Sequence, residues 1–268
     1  MEMVGAEWRA LKEEIARWRD GGKLVEFWWR DDDASRPDPA LCRLLKLASD
    51  SNVPLALAVV PSMAEHSIFE GLRSEVAVLQ HGMDHRNRAP ATEKKSEFPP
   101  GEPIEQALGR LVGGRRKLEG MAGRLAIPVL APPWNRISPA LVPMLVAAGY
   151  GGLSTFGVRK VTNSAPGLTT VNTHVDIIDW KSTRGFCGAD LALRRAVQHL
   201  ESRRLGGADA LEPTGWLTHH AVHDEDCWAF LEGLFEATRK IDGVRWSSPA
   251  ALFSGRGGSF AERQAQGT

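Results

Sequence analysis

The chain has 268 residues, 33 of them basic and 33 acidic, so it carries no formal net charge; 43% of the residues are hydrophobic and 25% charged. That composition fits a globular domain better than a disordered chain, and the missing basic surplus argues against a nucleic-acid partner. No stretch approaches the ~18 consecutive apolar residues of a membrane span, so no membrane partner is expected either. Cys42, Cys187 and Cys227 are odd in number and form no C-x-x-C, and the N-terminus has no apolar signal region. Both features point to a reduced, cytoplasmic protein.

Elements follow in order. Trp8, Leu11, Ile15 and Trp18 recur at helical spacing over Ala6–Asp20, ahead of Gly21-Gly22. Lys23–Arg30 reads as a strand that ends at an acidic run, Pro39–Ser49 as a helix, and Leu55–Val60 as a short strand stopped by Pro61. A weaker helix is expected over Met63–Arg73, then a strand Glu75–Gln80, a helix Ile104–Met121 and a strand Ile127–Leu130. Beyond them come a helix Pro139–Ala148, strands near Gly152–Phe156 and Thr169–Thr173, and a helix Ala189–Arg204. Strand Gly215–Thr218, helix Glu225–Lys240 and strand Val244–Ser247 complete the series. Residues 1–254 are read as one domain, and the Gly/Gln-rich tail 255–268 as flexible.

Sustained strand–helix alternation predicts an α/β protein with a parallel sheet, and at this length a (β/α)7-8 TIM-like barrel. No G-x-G-x-x-G or P-loop follows the first strand, which weakens a nucleotide-binding alternative. A barrel gathers its chemistry at the C-terminal ends of its strands. Five polar clusters stand there: Asp31-Asp32-Asp33, His81-Gly-Met-Asp-His85, Ala131-Pro-Pro-Trp134-Asn-Arg136, Asp176-Ile-Ile-Asp179-Trp180 and His219-His220.

An H-x-x-x-H pair on a helical turn puts two imidazoles on one face, within reach of one divalent cation. Eight histidines in a chain of this length give on the order of a quarter of such a pair by chance, so the pattern alone is weak. A catalytic zinc site needs a third protein ligand and an open position, and an aspartate of the acidic run would supply the ligand. Three adjacent carboxylates also need a nearby cation, a metal or Arg30. His174 is a further candidate near a strand end, while His66 and His199 read as surface residues.

The order of these clusters resembles the polysaccharide deacetylase (NodB-homology) family, metal-dependent amidases on a distorted (β/α) barrel. The resemblance runs from about Phe27 to His220 and implies the following roles. Asp32 would be the general base and Asp33 a metal ligand, Ala34 taking the place of the family's glycine; the register Asp31/Asp32 stays open. His81 and His85 would complete the ligands, with Gly82 where the family has Ser or Thr. Asp179 would tune the catalytic histidine and Trp180 would line the pocket with Trp134. Leu217-Thr218-His219 matches the Leu-x-His motif and makes His219 the general acid, with adjacent His220 as its rival. Leu217 and Arg136 are further pocket candidates.

One departure is visible: the family's third motif opens with an arginine that steadies the base, and Ala131 stands there. Arg136 or Arg30 would have to replace it. The resemblance implies a divalent metal, zinc first with cobalt, manganese or nickel as alternatives. It implies hydrolysis of an amide C–N bond in an N-acylated, sugar-like small molecule, by deacetylation or deformylation. The competing readings are a binding protein on a decayed scaffold and another barrel metallohydrolase. Oligomeric state stays open, a homodimer included.

Overall fold

A computed structural model describes residues 5–254; the tail expected to be flexible lies outside them. Strands and helices alternate as the sequence pattern demands. In chain order they are α1 (Ala6–Asp20), β1 (Val25–Ala34), α2 (Pro39–Ser51), β2 (Leu55–Val59), β3 (Val76–Gln80), α3 (Ile104–Ala122), β4 (Ala126–Leu130) and β5 (Gly152–Leu153). Next come β6 (Asn163–Ala165), β7 (Leu168–Thr170), β8 (Val175–Asp176), α4 (Ala189–Leu205), β9 (Thr214–Thr218), α5 (Glu225–Arg239), β10 (Val244–Trp246) and α6 (Pro249–Phe253).

β1 pairs in parallel with β2 and with β9, and β2, β3, β4, β5 and β7 follow one another in parallel. The extended stretch from β7 to β8 joins the two ends of this sheet: its start pairs with β5, its end with β9. The result is a distorted (β/α) barrel. β6 and β10 are short additions, β6 antiparallel to β7 and β10 parallel to the start of β1.

Strand alternation divides the core in two. Trp28, Ala56, Ala58, Ala77, Leu79, Val129, Ala131 and Val171 face one another inside the barrel, closed by Phe253 of α6. The Trp28 ring fills much of this lumen, and small residues make room for it: a Cβ at Gly215 would come within 2.3 Å of Trp28 Nε1. Phe27, Trp29, Leu55, Leu57, Val59 and Trp216 point outward, into the layer of α1, α2, α4 and α5.

Three expectations fail locally. β1 does not stop before the acidic run but continues through Ala34. The helices expected over Met63–Arg73 and Pro139–Ala148 are only short 3-10 turns, at Pro61–Met63, His66–Phe69 and Val142–Met144. Pro143 within the second segment has no N–H to donate and clashes with the preceding turn, which prevents an α-helix despite the apolar spacing. β6, β8 and α6 were too short to leave a periodic signal.

Candidate metal centre and active-site cleft

A cleft of about 810 Å³ is lined by Asp32, Asp33, His81, His85, Lys95, Trp134, Asn135, Arg136, Phe156, Asp176, Trp180, Arg184 and His219. Residues from six strand ends and the loops beyond them thus meet at one end of the barrel. Other depressions lie elsewhere, one lined by surface charges of α2 and α5 and another at the opposite end of the sheet.

The acidic run resolves by alternation. Arg30 and Asp32 face inward, and Asp31 outward, where it accepts from the Thr218 hydroxyl (2.6 Å) and the His220 backbone N–H (3.0 Å) and pairs with His220 Nδ1. Asp33 should then face outward too, but its φ is 71°, and the break in the β1–β2 register between Asp31 and Ala34 turns it back into the cleft. Aspartate tolerates this left-handed conformation better than most residues. Asp32 and Asp33 therefore share the cleft, and Asp31 and His220 form a separate, buried pair behind the wall. Burial raises the Asp31 carboxyl and lowers the His220 ring, but their mutual attraction outweighs it, leaving Asp31 lowered and His220 raised.

Asp33 Oδ1 lies 3.1 Å from Nε2 of His81 and 3.1 Å from Nε2 of His85. His81 Nδ1 is 2.9 Å from the Ala131 carbonyl, which accepts only a hydrogen, so a neutral ring presents its Nε2 lone pair to Asp33. A lone pair facing a lone pair requires a shared cation or proton, and Asp33 Oδ1 is buried without another partner. Two imidazoles and one carboxylate with converging donor atoms suit a divalent ion of the zinc type, with the imidazole Nδ1–H held by a carbonyl as metal-bound histidines usually are. Burial works against ionisation of Asp33, yet the two rings hold its carboxyl far below the usual range.

The histidine pair is not on a helical turn. His81 follows β3 directly, and His85 lies in a loop with φ 55°. Glu97 holds that loop: its carboxylate accepts from the backbone N–H groups of Met83 (2.8 Å), Asp84 (3.2 Å) and His85 (3.0 Å). Gly82 follows from this. Its φ is 61°, and a Cβ there would come within 2.2 Å of Glu97 Oε2, so the hydroxyl residue of the resembled motif has no room. Nothing in the sequence around Glu97 marked it.

Asp32 is gripped by Arg30, two residues earlier on the same strand face: Nε to Oδ1 at 2.8 Å and Nη2 to Oδ2 at 3.0 Å. The guanidinium also donates to the Ser154 carbonyl and hydroxyl and to Asn135 Oδ1. Both partners are fully buried. Arg136 instead lies exposed at the rim and donates to the Lys95 carbonyl at 2.9 Å. Of the two candidates for the cation missing at Ala131, Arg30 is the one in contact with Asp32. Trp134 and Asn135 both have positive φ (55° and 56°), uncommon for a bulky residue; this turn aims Asn135 at Arg30 and sets the Trp134 ring 4.5 Å from His85.

On the other side of the cleft, the Trp180 ring stands edge-on to His219 at 4.7 Å. His219 Nδ1 has no partner, whereas neighbouring His220 faces the opposite side of the strand, as alternation demands. Asp176, not Asp179, is the carboxylate in the cleft. It accepts from Trp180 Nε1 at 2.8 Å, and burial raises its carboxyl against the pull of His219. Asp179 turns away and accepts from the backbone N–H groups of Lys181 and Ser182, building the turn that carries Trp180. Asp-x-x-Asp offered both carboxylates, and only the inward direction of β8 distinguishes them. Leu217 points inward from β9, but it is fully buried below His219 and lines no part of the cleft.

His174, His199 and Glu212 form a second convergent group, all buried, below the cleft and beside the start of β9. His199 is therefore not a surface residue, and His174 does not line the site. The Gly215 N–H donates to His174 Nδ1 at 3.0 Å, which puts the ring hydrogen on Nε2, toward Glu212 at 3.4 Å. Both Glu212 oxygens already accept backbone N–H groups, from Asn172 and Arg159. With no lone pair at His174 Nε2, this group ties loops together and is not a metal centre.

No protein-family model matches the chain, and no curated protein matches it by sequence. Solved structures do match. A protein of Pseudomonas aeruginosa PAO1 called a polysaccharide deacetylase superposes with a TM-score of 0.59 at 14% identity, covering 87% of this chain and 91% of its own. One from Mycobacterium smegmatis with the same designation gives 0.58 at 16% identity, covering 87% and 90%. A family 4 acetyl xylan esterase from Clostridium thermocellum, in complex with a cobalt ion, gives 0.50 at 14% identity, covering 85% and 90%. The chain thus has the NodB-like polysaccharide deacetylase fold.

Proposed function

We propose that this protein is a metal-dependent hydrolase that removes an acyl group from nitrogen in a small, sugar-like substrate. The observation that carries the reading is the convergence of Asp33 Oδ1 with the Nε2 atoms of His81 and His85, beside the independently anchored carboxylate of Asp32. The cobalt ion in the Clostridium thermocellum esterase, on the same fold, adds support.

Asp33, His81 and His85 would hold the ion. A divalent cation in that position acidifies water and stabilises negative charge on the acyl oxygen. Asp32 takes the proton of the water that attacks the acyl carbon. Arg30 keeps the Asp32 carboxylate oriented for that transfer, which removes the main argument for a decayed scaffold. An amine leaves an acyl carbon only once its nitrogen is protonated, and His219 is the donor suitably placed across the cleft. Asp176 is the carboxylate beside it, in the part assigned from sequence to Asp179. Trp134 and Trp180 wall the acyl and sugar faces.

The reading predicts about one divalent ion per chain, measured by metal analysis after dialysis. Asp32→Asn should abolish acetate release from N-acetyl sugars and keep the ion; Asp33→Asn and His81→Ala should lose both. Full retention of the ion in Asp33→Asn would overturn the assignment.

A further inference from the structure

The rim of the cleft differs in charge from its floor. The floor acids are each accounted for: Asp32 by Arg30, Asp33 by the histidine pair, and Asp176 by the Trp180 Nε1–H and the Ile178 N–H. Three cations stand above them, Lys95, Arg136 and Arg184, all exposed and lining the cleft. None has a carboxylate within ion-pair distance among the described residues, although most other arginines do. In a chain with no net charge, this surplus is local.

Two of these cations, Arg136 and Arg184, are also held in position. Arg136 Nη1 donates to the Lys95 carbonyl, keeping the two side by side. Arg184 belongs to a turn closed by its own N–H to the Asp179 carbonyl (2.8 Å) and by Asp179 N–H to the Gly185 carbonyl (2.9 Å). The Asp179 carboxylate caps the same turn, and Arg184 has φ 59°, a left-handed conformation that arginine seldom adopts. Its guanidinium lies over the Trp180 ring, 5.9 Å from the centroid. Phe156 adds an exposed apolar ring to the lining. A planar guanidinium fork matches the geometry of an oxyanion, and desolvation between aromatic walls strengthens the contact.

We propose that the substrate carries a negatively charged oxyanion, a carboxylate or a phosphate, bound at the rim by Arg184, Arg136 and Lys95 while its N-acyl group enters the cleft. This rests on the hydrolase reading above and specifies its substrate class. The anion does not take part in the bond that breaks; it fixes the sugar's orientation and draws the ligand in through the field of the rim.

The test uses three ligands with one acetamido group: N-acetylglucosamine (neutral), N-acetylglucosamine 6-phosphate and N-acetylmuramic acid. Binding to metal-loaded Asp32→Asn protein is followed by calorimetry, and acetate release by the wild type is followed in parallel. At least one charged ligand is expected to bind about tenfold more tightly than the neutral one, the size of two or three partly exposed charge contacts. That preference should shrink to about twofold in the Arg136→Ala/Arg184→Ala background and in about 0.5 M KCl, where screening acts within about 4 Å. A preference for phosphate over carboxylate, or the reverse, identifies which oxyanion the rim takes. Equal or undetectable binding of the charged ligands, or a preference that survives the double substitution, overturns the proposal. Absence of acetate release beside a clear charge preference would instead overturn the hydrolase reading.

Discussion

At the scale of single residues, the candidate site depends on a few carboxylates whose direction is fixed by the backbone. Asp31, Asp32 and Asp33 are chemically identical and adjacent, yet one is locked to His220 outside the barrel, one to Arg30 inside, and one to two imidazoles. Sequence could name the three but not divide them, because the division depends on one left-handed φ at Asp33. Glu97 was equally invisible, since a glutamate in a loop has no pattern; Gly82 was noticed as a departure, and the structure supplies its reason. Glu97→Gln replaces an oxygen that accepts backbone N–H with an amide that cannot accept at both ends. The loop bearing His85 should loosen, and metal affinity should fall by about 10–100-fold, as for other outer partners of a metal ligand. Competition with a chromogenic chelator measures it; an unchanged affinity would mean that the loop is held by His85 and the barrel alone.

At the scale of elements, β1 carries the greatest share of the site, because the strand continues through four charged residues, Arg30 to Asp32 in alternation and Asp33 turned back by its left-handed φ. The sequence reading ended this strand at Arg30, since charges rarely lie in a buried strand. Arg30 and Asp32 instead pair with each other inside, Asp31 pairs with His220 outside, and Asp33 lies against two imidazoles, partners that only the fold brings together. The long periodic helices α1, α3, α4 and α5 were legible because their apolar stripes repeat over many turns. The segment around Pro143 has the same stripe and no helix, and the two histidines of the H-x-x-x-H spacing converge on Asp33 from a strand end and a loop, not from a helical turn. Arg30→Met tests how far β1 depends on its internal pair. Removing the cation leaves Asp32 buried and uncompensated, which costs about 3–5 kcal/mol for a pair of this burial. Urea unfolding at neutral pH should show that loss, and Arg30→Met/Asp32→Asn should recover part of it without recovering activity. A single variant as stable as the parent would mean that Asp32 draws its support from elsewhere.

At the scale of the whole molecule, closure of the barrel rests on the stretch from β7 to β8, which bonds to the β5 side through Val171 and Thr173 and to β9 through His174 and Ile177, and is reinforced from below by the His174–His199–Glu212 group. The two imidazoles stack at 3.5 Å, and burial lowers both, His199 to about 2; Arg203 lowers each further, and His174 lowers His199. Burial likewise brings His223 down to about 4. In the unfolded chain these rings titrate near 6.5. A base whose folded pKa is depressed binds its proton more readily when unfolded, so its contribution is complete above 6.5 and is lost as the pH falls below that value. Each such ring should remove about 1.4 kcal/mol per pH unit. His220 acts in the opposite sense: its raised ring contributes fully below 6.5 and loses its share as the pH rises through its folded value, which offsets part of the slope. Thermal or urea unfolding between pH 7.5 and 5, with chelator present to remove the metal contribution, should therefore show stability falling with acid. His199→Gln, which retains a polar partner for Thr214, should reduce the slope by about one ring's worth while lowering stability at pH 7.5. An identical slope in the variant would mean that His199 is protonated in the folded barrel, and that the stacked pair contributes nothing to its acid sensitivity.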